Sequence, residues 1–286
     1  MAIRTVLVHV DGSAGAGARI AAAIELARHW GAHLTGLSTS GISRSLLASL
    51  PPEQDDPTLA AHLGYVREQA HAALQRFSAQ CGAAGLAAFD ARLVDDAAAP
   101  GLGLHARTAD LTVLSQPDPE HEAASLAADV VVQAGTPVLL LPAVRTGTAL
   151  PLIRPHMLLA WDASREAARA LHAALPLLQQ ARQVTLATVD TVPPSHASID
   201  ARHTDPLAFL ARHGIAATRA LRTLDAPRLP HRRHPVGEAL LSLASEAGAE
   251  WLVMGAYAHS RLRETLLGGV TRTVLDEMTL PVLMVH

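Results

Sequence analysis

Residues 254–274 read Met254-Gly-Ala-Tyr-Ala-His-Ser-Arg-Leu-Arg-Glu-Thr-Leu-Leu-Gly-Gly-Val-Thr-Arg-Thr-Val274. The segment follows a continuous apolar run, Trp251–Met254, of the kind found in parallel strands that helices cover on both faces. Gly268 and Gly269 begin the next helical pattern without side chains, and the backbone N–H groups at a helix start attract anions. The segment therefore predicts a strand, a loop and a helix start that a phosphate can approach closely.

Landmarks of this half recur earlier in the chain. Thr5-Val-Leu-Val-His-Val-Asp11 and Met157-Leu-Leu-Ala-Trp-Asp162 are both apolar runs that lead through Asp-x-Ser into an Ala-rich segment. Thr136-Pro-Val-Leu-Leu-Leu-Pro142 and Leu280-Pro-Val-Leu-Met-Val285 end the two halves alike. We interpret the chain as a duplication, with a first domain at 1–144, a Gly- and Pro-containing linker at 145–155 and a second domain at 156–286.

Short apolar runs alternate with helical patterns within each half. The predicted strands lie at 5–10, 33–38, 87–94, 110–115 and 137–142 in the first half, and at 157–161, 183–189, 215–221, 250–254 and 281–285 in the second. Ser13 and Ser164 are the predicted N-caps of the first helix in each half. This order predicts an α/β fold of two tandem, doubly wound, five-stranded parallel-sheet domains of the Rossmann-like type.

The composition excludes several classes of function. The 286 residues are 49% hydrophobic and carry a net charge of −3 without a basic block, so no nucleic-acid partner is predicted. The sequence contains no lysine, which excludes a Walker-type phosphate loop and a Schiff base. Cys81 is the only cysteine, and no apolar run reaches the ~18 residues of a membrane span. With no signal-peptide pattern at the start, we predict a cytoplasmic protein without membrane partners.

The segment 254–274 resembles the universal stress protein family, whose Gly-x2-Gly-x9-Gly-(Ser/Thr) loop wraps the phosphates and ribose in ATP-binding members. Gly255 and Gly268 occupy the first and third signature positions, while Ala258 and Gly269 stand at the second and fourth. Asp162, like Asp11 in the first half, matches the aspartate that faces the nucleoside. The resemblance implies a fold like that of the adenine nucleotide alpha hydrolases. It also implies a nucleotide site in the second half, formed by Asp162, Val189, Met254, Gly255, Ala258, Arg261, Gly268, Gly269, Val270 and Thr271.

The two departures from the signature are expected to weaken nucleotide binding. Ala258 carries a Cβ, which costs on the order of 1 kcal/mol if that position needs a positive φ. Gly269 lacks a hydroxyl donor that is worth about 1–2 kcal/mol with a charged partner. Two interpretations stay open: binding of ATP or a related nucleotide, with Mg²⁺ as the only accompanying metal, or a glycine turn that only connects strand to helix.

The corresponding loop of the first half, Ser115-Gln-Pro-Asp-Pro-Glu-His-Glu-Ala123, predicts no ATP site there. It has no glycine, its prolines lack N–H donors and its carboxylates repel phosphate. We expect the first half to be a structural partner of the second. By the resemblance, 137–142 and 281–285 pair and form an intramolecular pseudo-dimer, with further homodimerisation left open.

Our main hypothesis is a non-catalytic stress-response protein that acts through a protein partner the sequence does not identify. An ATP-using enzyme, such as a slow ATPase or a nucleotidyl transferase, is the alternative, with Asp162, His259 and Glu264 as nearby groups. None of these has a clear partner, so we assign no catalytic residue.

The remaining candidate groups are histidines and a thiol. Loop histidines offer a second alternative, a zinc site, but their spacing is not compact and no metal site is predicted; they are His196, His203, His231 and His234. His9 is interpreted as a hydrogen-bonded core or crevice residue, and Cys81 as an unreactive thiol.

Overall fold

All ten predicted strands are present in the computed structural model, which describes residues 2–43, 57–116, 126–143, 150–192, 203–225, 234–257 and 268–286. The strands of the first half are β1 Thr5–His9, β2 His33–Thr39, β3 Phe89–Val94, β4 Leu111–Ser115 and β5 Val138–Leu141. Those of the second half are β6 His156–Ala160, β7 Gln183–Val192, β8 Ala217–Asp225, β9 Trp251–Gly255 and β10 Val282–Val285.

Helices follow the strands in both halves. The described residues form α1 Ala16–Trp30, α2 Pro57–Ala83, α3 Ala98–Ala106, α4 Leu126–Ala134, α5 Arg165–Leu178, α6 Pro206–Arg212, α7 Pro235–Ala247 and α8 Gly269–Glu277. The alternation of strands and helices confirms the α/β fold class.

One structural unit comprises Ala2–Ser115 and Ser125–Thr136. Its strands lie in the order β3-β2-β1-β4, and each described pair is parallel. Helix α1 contacts α2, and α3 contacts α4, so two helix pairs accompany the sheet. Because the strands are parallel, their carboxyl ends lie along one edge of this sheet, where doubly wound folds bind ligands.

The other unit comprises Pro137–His286 with Gln116–Ala124 and Met1. Its strands lie in the order β5-β10-β9-β6-β7-β8; all neighbours are parallel except β5 and β10, which pair antiparallel with Val282 opposite Leu140. The last strands of the two sequence halves therefore pair within this unit. The domain boundaries at 144 and 156 describe the duplicated sequence and stay a prediction, as does the pseudo-dimer.

The core consists mainly of Leu, Val and Ala, as the composition requires. Strands β4, β5, β9 and β10 are buried along almost their whole length, in agreement with their continuous apolar runs. Trp251 is fully buried, and its indole N–H donates to the carbonyl of Pro151 at 2.9 Å. The one polar atom of this buried indole ring is thus satisfied.

The two serines at the helix starts behave differently. Ser164 is the N-cap of α5, and its hydroxyl accepts from the N–H of Ala167 at 3.1 Å, as predicted. The prediction for Ser13 is wrong, since Gly15 is the N-cap of α1. The reason is that a further turn precedes the helix: the carbonyl of Ser13 accepts the N–H of Ala16 at 3.1 Å, and α1 begins only there. The Ser13 hydroxyl donates to Asp11 Oδ1 at 2.6 Å.

None of the helices in the described part of the chain combines the length and apolar character needed to cross a bilayer.

We predict that Gly255→Ala destabilises the protein by about 2–3 kcal/mol, the upper part of the range for overpacking. A Cβ at this position would lie 2.6 Å from the backbone nitrogen of Ala167 and still closer to the carbonyl carbon of Glu166, and backbone atoms cannot move aside locally. Denaturant unfolding measures the effect. Gly12→Ala is the matched control, because nothing lies within 4 Å of a Cβ there. Equal unfolding midpoints for the two variants would contradict the prediction.

Candidate functional site

The candidate site lies where the strand order of the second unit reverses. Strand β6 has β9 on one side and β7 on the other, and all three run parallel. Since Leu159 is opposite Val253, the ends of β6 and β9 lie side by side. Ligands of doubly wound sheets bind at this switch point, outside the carboxyl ends of the strands.

Asp162 follows β6 at this edge in a turn that fixes its carboxylate. Its Oδ1 accepts the N–H of Ser164 at 3.0 Å, and Ala163 between them has a φ of 60°, in the left-handed region. Such a conformation costs a non-glycine residue on the order of 1 kcal/mol. Asp162 is exposed, and among the described residues it forms no ion pair. A carboxylate is therefore held in place while one of its oxygens stays available.

Gly255, at the end of β9, is required by packing. The first turn of α5 lies directly on it, since any Cβ at 255 would collide with the backbone at Glu166 and Ala167. Met254 before it is buried and Gly255 itself is half-exposed. Because position 255 has no side chain, the start of α5 packs directly against β9. The Asp162 turn, which precedes α5, is thereby held at the end of β9.

Helix α8 begins at the same end of β9, and its first turn has no side-chain cap. Gly268 is the N-cap, with φ −51°, and Gly269 is the first helical residue. Thr271 is buried, and its hydroxyl accepts the N–H of Tyr257 at 3.3 Å, which ties α8 to the residues after β9. Thr271 therefore has a structural contact here, and its place in a nucleotide site stays a prediction.

The other predicted residues divide into two groups. Val189 is half-buried in β7, beyond Ala187, whose carbonyl accepts the N–H of Trp161 at 2.8 Å, so it lies at the same edge as Asp162. Val270 is half-exposed in the first turn of α8. Ala258 and Arg261, like His259 and Glu264, lie outside the described residues. The structure therefore places eight of the ten predicted residues on the strand ends and helix start of one sheet edge.

The equivalent edge of the first unit is filled by a side chain that the sequence analysis missed. Arg19 is buried and donates three hydrogen bonds there. Its Nε donates to the carbonyl of His9 at 2.8 Å, Nη1 to Ser115 Oγ at 2.7 Å and Nη2 to Asp11 Oδ1 at 2.8 Å. Asp11, the counterpart of Asp162, is thus neutralised internally.

The second unit has small residues at the corresponding positions. Counted from the aspartate, Ala170 corresponds to Arg19, and Gly255 ends its strand as Ser115 does in the first unit. Ala170 is fully buried and offers no charge. A signal for Arg19 exists in the sequence, since it is the one charged residue on the stripe formed by Ala16, Ile20, Ala23 and Ala27.

The buried cluster of the first unit shifts two pKa values. Burial and the nearby Arg19 lower the pKa of His9 to about 4, against the opposing effect of Asp11. Burial raises the pKa of Asp11, but His9, Arg19 and the hydrogen bonds from Ser13 outweigh it, so this pKa lies below its ordinary value. At neutral pH the cluster therefore contains a neutral imidazole and an ion pair.

The structure also bears on the hypotheses for Cys81 and for a zinc site. Burial raises the pKa of the Cys81 thiol to about 11, as expected for an unreactive cysteine. Within the described residues no three His, Cys, Asp or Glu side chains form a group able to hold a metal ion. His196 and His231 of the zinc hypothesis lie outside those residues.

Comparisons with known proteins agree with this architecture. The model of the universal stress protein family matches residues 154–286. A universal stress protein from Archaeoglobus fulgidus DSM 4304 is similar over 98% of this chain and 96% of its own, with a TM-score of 0.69 and 15% identity. A functionally unknown protein from Pseudomonas aeruginosa PAO1 is similar over 99% of this chain and 92% of its own, with a TM-score of 0.58 and 18% identity.

Structural likeness at such low identity shows the shared fold. A search of curated proteins gives no match. The family model covers nearly the whole second half of the chain, and the fold of family members extends over the rest of it. Residues 154–286 therefore carry the sequence pattern of the universal stress protein family, and the chain as a whole shares the fold of such a protein.

Proposed function

We propose that this chain is a non-catalytic stress-response protein whose second half binds ATP or a related adenine nucleotide. In this proposal Asp162 contacts the nucleoside, and the start of α8 at Gly268 and Gly269 receives the phosphates. Mg²⁺ enters only with the nucleotide. The protein acts through a protein partner, in the cytoplasm, with the first half as the structural member of a pseudo-dimer.

The difference between the two sheet edges carries the proposal. In the first unit Arg19 occupies the edge and pairs with Asp11 at 2.8 Å. In the second unit Ala170 leaves the corresponding space without a charge, and Asp162 has no ionic partner among the described residues. A carboxylate that is held by one backbone hydrogen bond and exposed beside a glycine-flanked helix start is suited to a ligand with hydroxyl and phosphate groups.

The phosphate end of the proposal depends on the helix dipole. Helix α8 begins with two glycines, and the N-cap residue Gly268 has no side chain to bond to the first N–H groups, which point out of the helix start. Thr271 further anchors this turn to Tyr257, which limits its movement. The arrangement favours an anion over a neutral ligand.

We predict that Asp162→Asn weakens ATP binding about tenfold or more, because a hydrogen bond to a charged group contributes about 1.5–3 kcal/mol. Asn keeps an oxygen that can accept the Ser164 N–H, so the turn is preserved. Isothermal titration calorimetry measures the affinity. Asp11→Asn is the matched control and leaves the affinity within about twofold. Weakening by Asp11→Asn alone would refute the assignment, and ATP turnover abolished by Asp162→Asn would favour the enzyme hypothesis.

We further predict that Gly269→Asp binds ATP at least about fivefold more weakly than Gly269→Asn, since a negative charge at a helix start opposes an anion there by about 1 kcal/mol. Both side chains meet the ring of His234, which would lie 2.9 Å from a Cβ at 269, so the pair shares its steric cost. The calorimetric ratio of the two variants therefore isolates charge. Equal affinities would place the phosphates elsewhere.

The structural role of the first half predicts a pH effect on stability. The folded protein holds the pKa of His9 at about 4, whereas the unfolded chain has about 6.5, so the unfolded state takes up a proton first as the pH falls. The stability that His9 contributes is complete above pH 6.5 and is lost towards pH 4, by about 3 kcal/mol in total.

Denaturant unfolding at a series of pH values measures this loss, with His9→Asn as the comparison. The variant should lose less stability than the native chain between pH 6.5 and 4. The carboxylates with lowered pKa values, such as Asp11, act below this window, and His234 is common to both proteins. Parallel curves for the two proteins would contradict the prediction.

A further inference from the structure

His234 stands at the junction of two helix starts. It is the N-cap of α7, and its backbone N–H donates to the hydroxyl of Thr273 in α8 at 2.8 Å. Gly237 in the first turn of α7 lies so close to α8 that a Cβ there would be 2.9 Å from Thr273 Cβ and 3.1 Å from the carbonyl oxygen of Val270. The two helix starts are therefore held together, and His234 is tied to α8 by its backbone N–H.

The ring of His234 lies against Gly269. A Cβ built on Gly269 would be 2.9 Å from Cδ2 of the ring, 3.3 Å from the His234 Cβ and 3.4 Å from its Cγ. Real side chains do not approach this closely, so the ring occupies the space that any side chain at 269 would need. The His234 ring can therefore occupy this position only because residue 269 has no side chain.

The hydrogen bonds at the start of α7 determine the state of the ring. Nδ1 accepts the N–H of Val236 in a long bond of 3.4 Å, which puts the ring proton on Nε2. The carbonyl of His234 accepts the N–H groups of Gly237 and Glu238 at 2.8 and 3.2 Å. The start of α7 is therefore satisfied by His234 itself, and no described residue accepts the Nε2 proton.

The ring is also accessible and neutral. His234 is exposed, so a ligand can contact it. The atoms packed around the ring lower its pKa below the ordinary value, and the imidazole is uncharged at neutral pH. Its Nε2 is bonded to Cδ2, the ring atom nearest Gly269. A single N–H donor thus stands beside a helix start whose first two residues, Gly268 and Gly269, carry no side chain.

We propose that His234 is a ligand-contacting residue of the second-half site, whose Nε2–H donates to a phosphate oxygen at the start of α8. The inference rests on the nucleotide binding proposed above and names a residue outside the family signature. The ring supplies the hydrogen bond that a hydroxyl side chain at 269 would otherwise supply, in the space that Gly269 leaves open.

The test compares ATP with adenosine, because the proposed contact involves phosphate alone. His234→Asn keeps an N-cap acceptor but removes the Nε2 donor, and it should weaken ATP binding about tenfold while leaving adenosine affinity within about twofold. His234→Gln, whose amide N–H can reach a similar place, should recover part of the ATP affinity. Calorimetry on the full chain supplies both affinities.

A second set of variants tests the coupling with Gly269. Gly269→Ser alone should weaken ATP binding, because the new side chain collides with the ring. In the His234→Ala background the same change should strengthen it, to within about threefold of the native chain, because the introduced serine then has room and provides a hydroxyl. The expected result is that Gly269→Ser lowers the ATP affinity in the native chain and raises it in the His234→Ala background.

The outcomes separate this inference from the proposed function. A native chain that binds neither ATP nor adenosine overturns the proposed function, and the inference with it. Native binding of ATP that His234→Asn leaves unchanged overturns the inference alone. An equal loss of ATP and adenosine affinity in His234→Asn also overturns it, since the residue would then act only through structure.

Discussion

The close approach of α5 to the end of β9 is the contact on which the rest of the second-half edge depends. It requires a residue without a side chain at 255, because the backbone of Glu166 and Ala167 occupies the space of a Cβ. With the helix seated there, Ser164 caps it and the Asp162 turn is held at the switch point between β6 and β9. Gly255 therefore shapes the site before any ligand is considered, and its presence in the loop is a packing requirement as much as a phosphate requirement.

The corresponding edge of the first unit is stabilised by a side chain instead of a close backbone contact. Ser115 ends β4, and the buried guanidinium of Arg19 bridges it to Asp11 and to the carbonyl of His9. A buried charge is stable only when it is paired and hydrogen-bonded, and here all three partners belong to the protein. The edge is thereby satisfied without a ligand. This second reason to expect no nucleotide in the first half is independent of the acidic, proline-containing loop from which the sequence predicted it.

The sequence predicted the elements well and the side-chain roles unevenly. Continuous apolar runs such as Leu139–Leu141 identify buried strands because only burial explains them, and the second Asp-x-Ser repeat located the start of α5. The cap at Ser13 was wrong because a further turn, closed by the carbonyl of Ser13 and the N–H of Ala16, delays the start of α1. Arg19 carried a recognisable signal, a charge on an apolar stripe. His234 carried none, since its contact with Gly269 joins residues from different helices and depends on how closely α7 and α8 pack.

The two neighbouring helix starts of the second unit compete for any anion, and their hydrogen bonds decide between them. Helix α7 begins with Pro235, which has no N–H, and its next N–H groups bond to Nδ1 and the carbonyl of His234. An anion would gain nothing there. Helix α8 has neither a side-chain cap nor a proline in its first turn. The Nε2–H of His234, the cap residue of α7, has no acceptor among the described residues. By satisfying one helix start with its carbonyl and Nδ1, His234 keeps its Nε2 proton for the other, so a single residue makes the two starts unequal.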